Sequence, residues 1–272
     1  MRVYFLGPEN SYSHLAAKHI MPLEELIPLE SFGQIVEKIL DDKKTIGVLP
    51  IENSITSDIH QNIDALFRNK YVSIIAETYV KITLHVIGLE EATMQDITEV
   101  YSHPRALAQC TNFIKKHHLA VDETTSTSKA KDIIVEKNLK NLAAIGNSLL
   151  EEKGKTKILE KNIGNDAINM TRFVFVSEQQ TINNTKNKTS IIFKVPHIPG
   201  SLAKILTKLA EIDLNLTKIE SRPIPGTSWE YYFWVDVEKQ NLDMEKVKQI
   251  LDTETTEYRV LGTYQKGDVY QS

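Results

Sequence analysis

The chain is almost without cysteine. Cys110 is the single one in 272 residues, which excludes an internal disulfide and a cysteine-rich metal site. Long hydrophobic runs are missing too; no stretch approaches the roughly 20 apolar residues that a membrane span needs. Positive charge is not in excess. A formal charge of -4 leaves no footprint for nucleic acid or for an anionic membrane. The glycines form no G-x-G-x-x-G and no phosphate-binding loop, and no Gly-x-Ser-x-Gly elbow occurs. His14, His103, His117 and His118 have no partner at metal-ligand spacing, so no metal is expected. The run Arg2-Val3-Tyr4-Phe5-Leu6 is strand-like and carries no basic-then-apolar leader, so a cytoplasmic protein is expected. What is present is ordinary for a globular chain. Apolar residues make up 41% and charged residues 25%, enough for a real core, and the length fits two or three compact domains.

Residues 1–176 alternate short apolar strands with amphipathic stretches. Strands are read at Val3–Leu6, Thr45–Pro50, Tyr79–Ile87, Glu99–Tyr101, Ala120–Asp122, Leu142–Ile145 and Arg172–Val176. Helices are read over 12–20, after an N-cap at Ser31, around Ile59, Ile63, Leu66 and Phe67, and over 104–117 and 128–137. This alternation predicts an α/β fold with mostly parallel sheets covered on both faces. Ser177–Lys188 is rich in Asn, Gln and Thr, lacks an apolar period and reads as a linker. Beyond it the order strand, helix, strand, strand, helix, strand is ferredoxin-like (βαββαβ). A unit of about 80 residues has a thin core, and oligomerisation is expected to support it.

Several strands of the first part end in a small polar cluster that leads into a helix. Gly7-Pro8-Glu9-Asn10-Ser11 follows the first strand, and Pro50-Ile51-Glu52-Asn53-Ser54 follows the third. Ser102-His103-Pro104 precedes the helix at 104, and Thr125-Ser126-Thr127 the next one. In an open sheet such ends share one edge, where helix N-termini and capping hydroxyls favour a small anion. Any one cluster is explained as a helix cap; the convergence of several points to an anionic metabolite. Cys110, beside Ala106 and Leu107, reads as a core residue rather than a nucleophile.

These motifs carry a resemblance. Gly7–Ser13, Pro50–Ser54, Ser102–Cys110, Ser126-Thr127 and Asn169-Met170-Thr171-Arg172-Phe173, followed by Pro199-Gly200-Ser201-Leu202 and Glu220-Ser221-Arg222-Pro223, resemble the prephenate dehydratases with a C-terminal ACT regulatory domain. The resemblance implies a two-lobed, periplasmic-binding-protein-like catalytic domain over 1–178, with one lobe of 1–76 and 160–178 and the other of 80–158. It implies an ACT domain over 188–272. The implied reaction is the decarboxylating dehydration of prephenate to phenylpyruvate in phenylalanine biosynthesis, without a cofactor. Thr171 is implied as the catalytic donor to the departing hydroxyl, with Ser11, Asn53, Ser54, Thr127, Arg172 and Phe173 at the substrate. Arg172 is equally readable as an ion pair supporting its strand. L-Phenylalanine is the implied effector, held at a dimer interface by Gly200, Ser201, Leu202, Glu220, Ser221, Arg222 and Pro223. A homodimer, or a tetramer made by pairing dimers, is expected. An arogenate dehydratase and a non-catalytic two-lobed metabolite sensor are the competing readings.

The chain departs from the family pattern at six positions. Asn10 stands for a glycine, Ser11 for a threonine, Ser57 for a glycine, Gly146-Asn147 for Ala-Ser, and Ser201 for an alanine. None removes the implied catalytic hydroxyl.

Overall fold

The computed structural model describes residues 1–55, 57–166, 168–178, 186–224 and 230–271. Of the linker read over 177–188, residues 179–185 lie outside the described residues. The first lobe begins β1 (Arg2–Leu6), α1 (Tyr12–Ile20), β2 (Glu25–Leu29), α2 (Phe32–Asp41) and β3 (Ile46–Asn53). It continues with β4 (Ser57–Asp58), α3 (His60–Arg68) and β5 (Ser73–Lys81). The second lobe holds β6 (His85–Leu89), β7 (Glu99–Ser102), α4 (Pro104–Ala108), α5 (Thr111–Lys116), β8 (Ala120–Glu123), α6 (Thr127–Lys137), β9 (Leu142–Gly146) and β10 (Thr156–Glu160). The chain then returns through β11 (Met170–Ser177) to the first lobe. The C-terminal unit is β12 (Lys188–Lys194), α7 (Ser201–Glu211), β13 (Asn215–Pro223), β14 (Tyr231–Glu238), α8 (Met244–Glu254) and β15 (Glu257–Tyr264), followed by β16 (Val269–Tyr270).

Local sequence accounts for the helix starts. The Ser11 hydroxyl accepts from His14 N and opens α1, which buries Leu15, Ala16 and Ala17. Ser31 and Gln34 form a reciprocal capping box at the start of α2, whose buried stripe is Ile35, Val36 and Ile39. Ser126 caps α6 through Lys129 N.

Three sheets result. The first runs β16-β5-β11-β3-β1-β2 with β4 beside β3, the second β10-β6-β9-β7-β8, and the third β13-β14-β12-β15. Two crossovers between the first two sheets make a two-lobed architecture. The sheets are mixed rather than mostly parallel. β11 is antiparallel to both β3 and β5, and β6 to both β9 and β10. These strands lead from one lobe to the other without a helical crossover, so the parallel geometry that such a crossover enforces is absent.

Three local readings need correction. The strand read over 79–87 is two strands, β5 and β6, in different sheets, because Lys81 still pairs with Met170 in the first sheet and His85 with Gly146 in the second. The helix read over 104–117 is broken between α4 and α5. Asn165 occupies the break: its N bonds Gln109 O, and its side chain bonds Asn112 N and Thr111 Oγ1. The strands β2, β4, β10 and β16 have no counterpart in the sequence reading.

The C-terminal unit does not rely on its own thin core. One face of its sheet packs under α7 and α8 through Ile191, Ile205, Leu209, Val235, Val247 and Leu251. The other face shares one core with the first lobe, in which Tyr232, Trp234, Leu261 and Tyr264 lie among Leu49, Ile63, Leu66, Ile74 and Val174. The tail completes the junction, with Val269 pairing with Tyr79 on the outer edge of β5. Backbone approaches backbone so closely there that a Cβ on Gly262 meets Ile74 O at 2.0 Å. Gly262→Ala is therefore expected to cost about 1–3 kcal/mol, read as a lower melting temperature. An unchanged melting temperature would show that the two units give way freely at this seam.

Candidate active site

The polar strand ends converge on a cavity of about 350 Å³ between the lobes. The first lobe contributes Gly7, Pro8, Ser11, Tyr12, Asn53 and Thr171. The second contributes His103, Arg105, Gln109 and the segment 125–127 at the start of α6. Ile82 and Leu84 of the crossover form part of the wall.

Thr171 sits on β11 opposite Asn53 of β3. The Asn53 amide donates to Thr171 Oγ1 at 3.0 Å and to Asn169 Oδ1 at 2.9 Å, while its Oδ1 accepts from Ile55 N at 3.0 Å. Thr171 Oγ1 thus acts as an acceptor toward Asn53, and among the described residues its own proton has no acceptor. That proton is available to a group in the cavity. Tyr12 spans the lobes by donating to Thr83 O at 2.7 Å. Burial pushes its phenol well up, so it stays a neutral donor. Burial also pushes the Cys110 thiol up to about 12, so this cysteine is an inert core residue.

The electrostatic sign of the cavity is positive. Arg105 is exposed on its wall and has no ion pair among the described residues. The N-termini of α1 and α6 face each other across it and add partial positive charge. No carboxylate lines the cavity among the described residues, and nowhere among them do three His, Cys, Asp or Glu gather as a metal would need.

Of the residues expected at the substrate, Ser11, Asn53, Thr127 and Thr171 meet at this cavity. Ser11 does so with its hydroxyl already engaged in capping α1, bonded to His14 N and Leu6 O. Arg172, Phe173 and Ser54 do not reach it. Strand alternation turns Arg172 to the opposite face of the sheet from Thr171. There it is 2% exposed and donates to Glu77 at 2.7 Å and to the Tyr264 hydroxyl at 2.9 Å, with Asp236 as a further close partner. Arg172 is thus the strand-supporting ion pair, not a carboxylate clamp. Phe173 is in the core of the first lobe with Phe5, Leu15 and Val80. Ser54 lies on the far side of the sheet, where its Oγ accepts from Met170 N. The side chain of Ser57 lies outside the described residues. Sequence reading did not single out Arg105, Tyr12 or Gln109 as site residues. The signal was there for Arg105, one residue after the Pro104 that starts a helix at the cleft.

The expected effector residues fall into two groups. Gly200, Ser201 and Leu202 line a separate cavity of about 720 Å³ with Pro199, Tyr231 and Phe233. Gly200 has φ +86° and opens α7, a conformation that favours glycine. Glu220, Ser221, Arg222 and Pro223 lie on edge strand β13, with β14 between it and β12, and none of them lines that cavity. Arg222 instead forks onto Asp64 of α3 at 3.2 and 3.0 Å, Tyr232 donates to the same carboxylate at 2.7 Å, and Glu220 lies 3.5 Å from His60.

A family model described as prephenate dehydratase matches residues 3–181, and one described as ACT domain matches residues 189–252. The chain belongs to the prephenate dehydratase family. It is a dehydratase, a lyase, with a C-terminal ACT domain. It is 35% identical over 269 residues to a prephenate dehydratase of Methanocaldococcus jannaschii, covering 96% of this chain and 97% of that protein. It is 34% identical over 280 residues to an arogenate dehydratase/prephenate dehydratase 2 of Arabidopsis thaliana, covering 97% of this chain and 72% of that protein. The crystal structure of a prephenate dehydratase from Arthrobacter aurescens in complex with L-Phe superposes with a TM-score of 0.86 at 26% identity, covering 98% and 90% of the two chains.

The buried position of Arg172 makes a prediction different from a substrate contact. Arg172→Gln leaves Glu77 and Asp236 short of a cation in the interior, and denaturant unfolding is expected to show a loss of about 3–5 kcal/mol. Burial raises the Asp236 pKa, but Arg172 and Lys188 outweigh it and hold the carboxyl below its ordinary 3.8. Its contribution to stability is therefore complete above that value and is lost as pH falls through the folded pKa. Without Arg172 the carboxyl loses that support, so the gap between variant and wild type should narrow in acid. A variant of unchanged stability and raised KM would restore the substrate role.

Proposed function

We propose that this enzyme converts prephenate to phenylpyruvate, carbon dioxide and water, in phenylalanine biosynthesis, and that phenylalanine restrains it through the ACT domain. The observation that carries the reading is the uncommitted hydroxyl proton of Thr171 in a cleft that holds a free guanidinium. Prephenate brings two carboxylates and a ring hydroxyl. Arg105 and the two helix N-termini receive a carboxylate. As the C–C bond to the ring carboxylate breaks, its electron pair enters the ring and the ring hydroxyl departs. The departing oxygen takes a proton or a strong hydrogen bond from Thr171, which Asn53 orients. The ring becomes aromatic, which supplies the driving force, and no electron acceptor is required. Closure of the lobes removes water from the ring carboxylate and favours loss of carbon dioxide.

The absence of a lining carboxylate among the described residues favours prephenate over arogenate. Arogenate carries an ammonium where prephenate has a ketone, and a cation beside Arg105 without a counter-charge is disfavoured. Steady-state turnover, followed by phenylpyruvate absorbance, tests these roles together. Thr171→Ala is expected to lower kcat by about 10²–10³, and Arg105→Ala to raise KM by about 10–100-fold. Arogenate keeps its amino group and yields phenylalanine rather than phenylpyruvate, so its turnover is followed as phenylalanine formed, and it should be the poorer substrate. Full activity in the Thr171 variant would remove the catalytic assignment.

The regulatory half of the proposal draws on Gly200, Ser201 and Leu202. The N-terminus of α7 offers backbone donors to an amino-acid carboxylate, and Leu202 and Phe233 offer apolar contact. Glu220–Pro223 cannot join this group within one chain, so the reading requires them from a second subunit in a dimer. On the catalytic side, β13 grips α3 through Asp64, and α3 follows the segment that carries Asn53. A shift of β13 on binding phenylalanine therefore reaches the partner of Thr171. Gly200→Arg, which forces a large side chain into the left-handed position, should leave turnover high and abolish its suppression by phenylalanine. Suppression equal to that of the wild type would move the effector site elsewhere.

A further inference from the structure

Two hydrogen bonds reach from the second lobe to consecutive carbonyls of one turn in the first. Ser128 Oγ donates to Glu9 O at 2.7 Å, and Asn147 Nδ2 donates to Asn10 O at 2.8 Å. The turn itself is held from below. Asn10 adopts φ +62°, its N–H donates to His14 Nδ1 at 3.0 Å, and the His14 ring stacks on Phe5 at 4.9 Å. The turn lies between Pro8 and Ser11, which line the cleft, and Ser128 follows Thr127, which lines it from the other side.

The Asn147 donor is well anchored. Asn147 is fully buried, and its Oδ1 accepts from Leu149 N at 2.9 Å, which fixes the direction of its amide hydrogens. Gly146 lets the start of α6 come close, since a Cβ there would meet Thr127 Cβ at 3.3 Å and Leu150 Cδ1 at 2.2 Å. Asn10, Gly146 and Asn147 are three of the positions at which this chain departs from its family's motifs, and the structure brings all three together here.

We propose that Ser128 and Asn147 are positioning residues, a two-pronged latch that holds the Glu9–Asn10 turn against the second lobe. By fixing the peptide that precedes Ser11, the latch sets the N-terminus of α1 opposite that of α6 and keeps the cleft in its binding geometry. A latch of this kind acts on substrate capture and leaves proton delivery by Thr171 untouched. Its loss lets the mouth open and lowers the fraction of enzyme ready to bind.

The kinetic part of the test rests on prephenate being the substrate, so a second reading without substrate accompanies it. Ser128→Ala removes only the hydroxyl. Asn147→Ser keeps an oxygen able to cap Leu149 N but is too short to reach Asn10 O. Each is expected to raise KM for prephenate about fivefold, and the pair by about twentyfold, with kcat within about twofold. In the doubly substituted protein without substrate, the amides of Asn10 and Ser11 should exchange hydrogen at least about tenfold faster. KM equal to wild type, or kcat falling at constant KM, would overturn the latch. If the wild type does not turn over prephenate, the substrate reading fails by itself. The exchange rates then decide the latch alone: acceleration confined to this turn supports it, and unchanged exchange refutes it.

Discussion

Four buried charges at the back of β11 hold the molecule together. Arg172 and Lys188 face Glu77 and Asp236, with all four side chains almost excluded from water. Ser190, Tyr264, Tyr79 and Trp234 complete the hydrogen bonding around them. A cluster of this kind adds little net stability compared with an apolar core, but it tolerates only one arrangement, because displacing any member strands a charge. Glu77 comes from β5, Arg172 from β11, and Lys188 and Asp236 from the ACT sheet. The cluster therefore sets how the ACT domain seats on the catalytic domain. It also anchors the residue next to Thr171.

Adjacent residues on one strand thus serve opposite faces. Thr171 faces the cleft and Arg172 faces the ACT domain, so the placement of the Thr171 hydroxyl and the docking of the ACT domain share one segment of backbone. The same economy appears in α3. Its outer turn gives Asp64 to Arg222 and Tyr232, and Phe67 stacks on Tyr232 at 4.0 Å. Arg259 of β15 donates to Leu66 O near the C-terminus of α3, to Asn69 O at its C-cap and to Val72 O just beyond. The segment before it carries Asn53. The ACT sheet is in contact with both supports of the active site, which gives the proposed regulation a short physical route.

The cleft achieves its character by subtraction as well as placement. It offers neutral hydroxyl and amide donors, one free guanidinium and two helix N-termini, and its described lining has no carboxylate. Such a surface suits an anion. The inter-lobe bonds from Tyr12, Ser128 and Asn147 cross the hinge and the mouth, so the geometry of capture is held at both ends.

Much of this was legible in the chain before any coordinates. The first helix, the Ser31 cap and the βαββαβ order follow from side-chain period and capping chemistry, which are local. Thr171, Asn53, Ser11 and Thr127 were legible because each belongs to a short motif at a strand or helix end, and such ends meet at one sheet edge. Arg172, Phe173 and Ser54 sit in those same motifs and were read with them. Their direction was decided by strand alternation and by which side of the sheet the ACT domain covers, and sequence alone does not state that. The partners of Arg172 lie 95 positions away in Glu77 and 64 in Asp236, a pairing that no local pattern encodes. Sequence by itself determined which groups the protein owns and where its strands and helices begin. The tertiary structure alone decided which of those groups share a cavity and which neutralise one another in the core, because burial and charge pairing depend on contacts between segments distant along the chain.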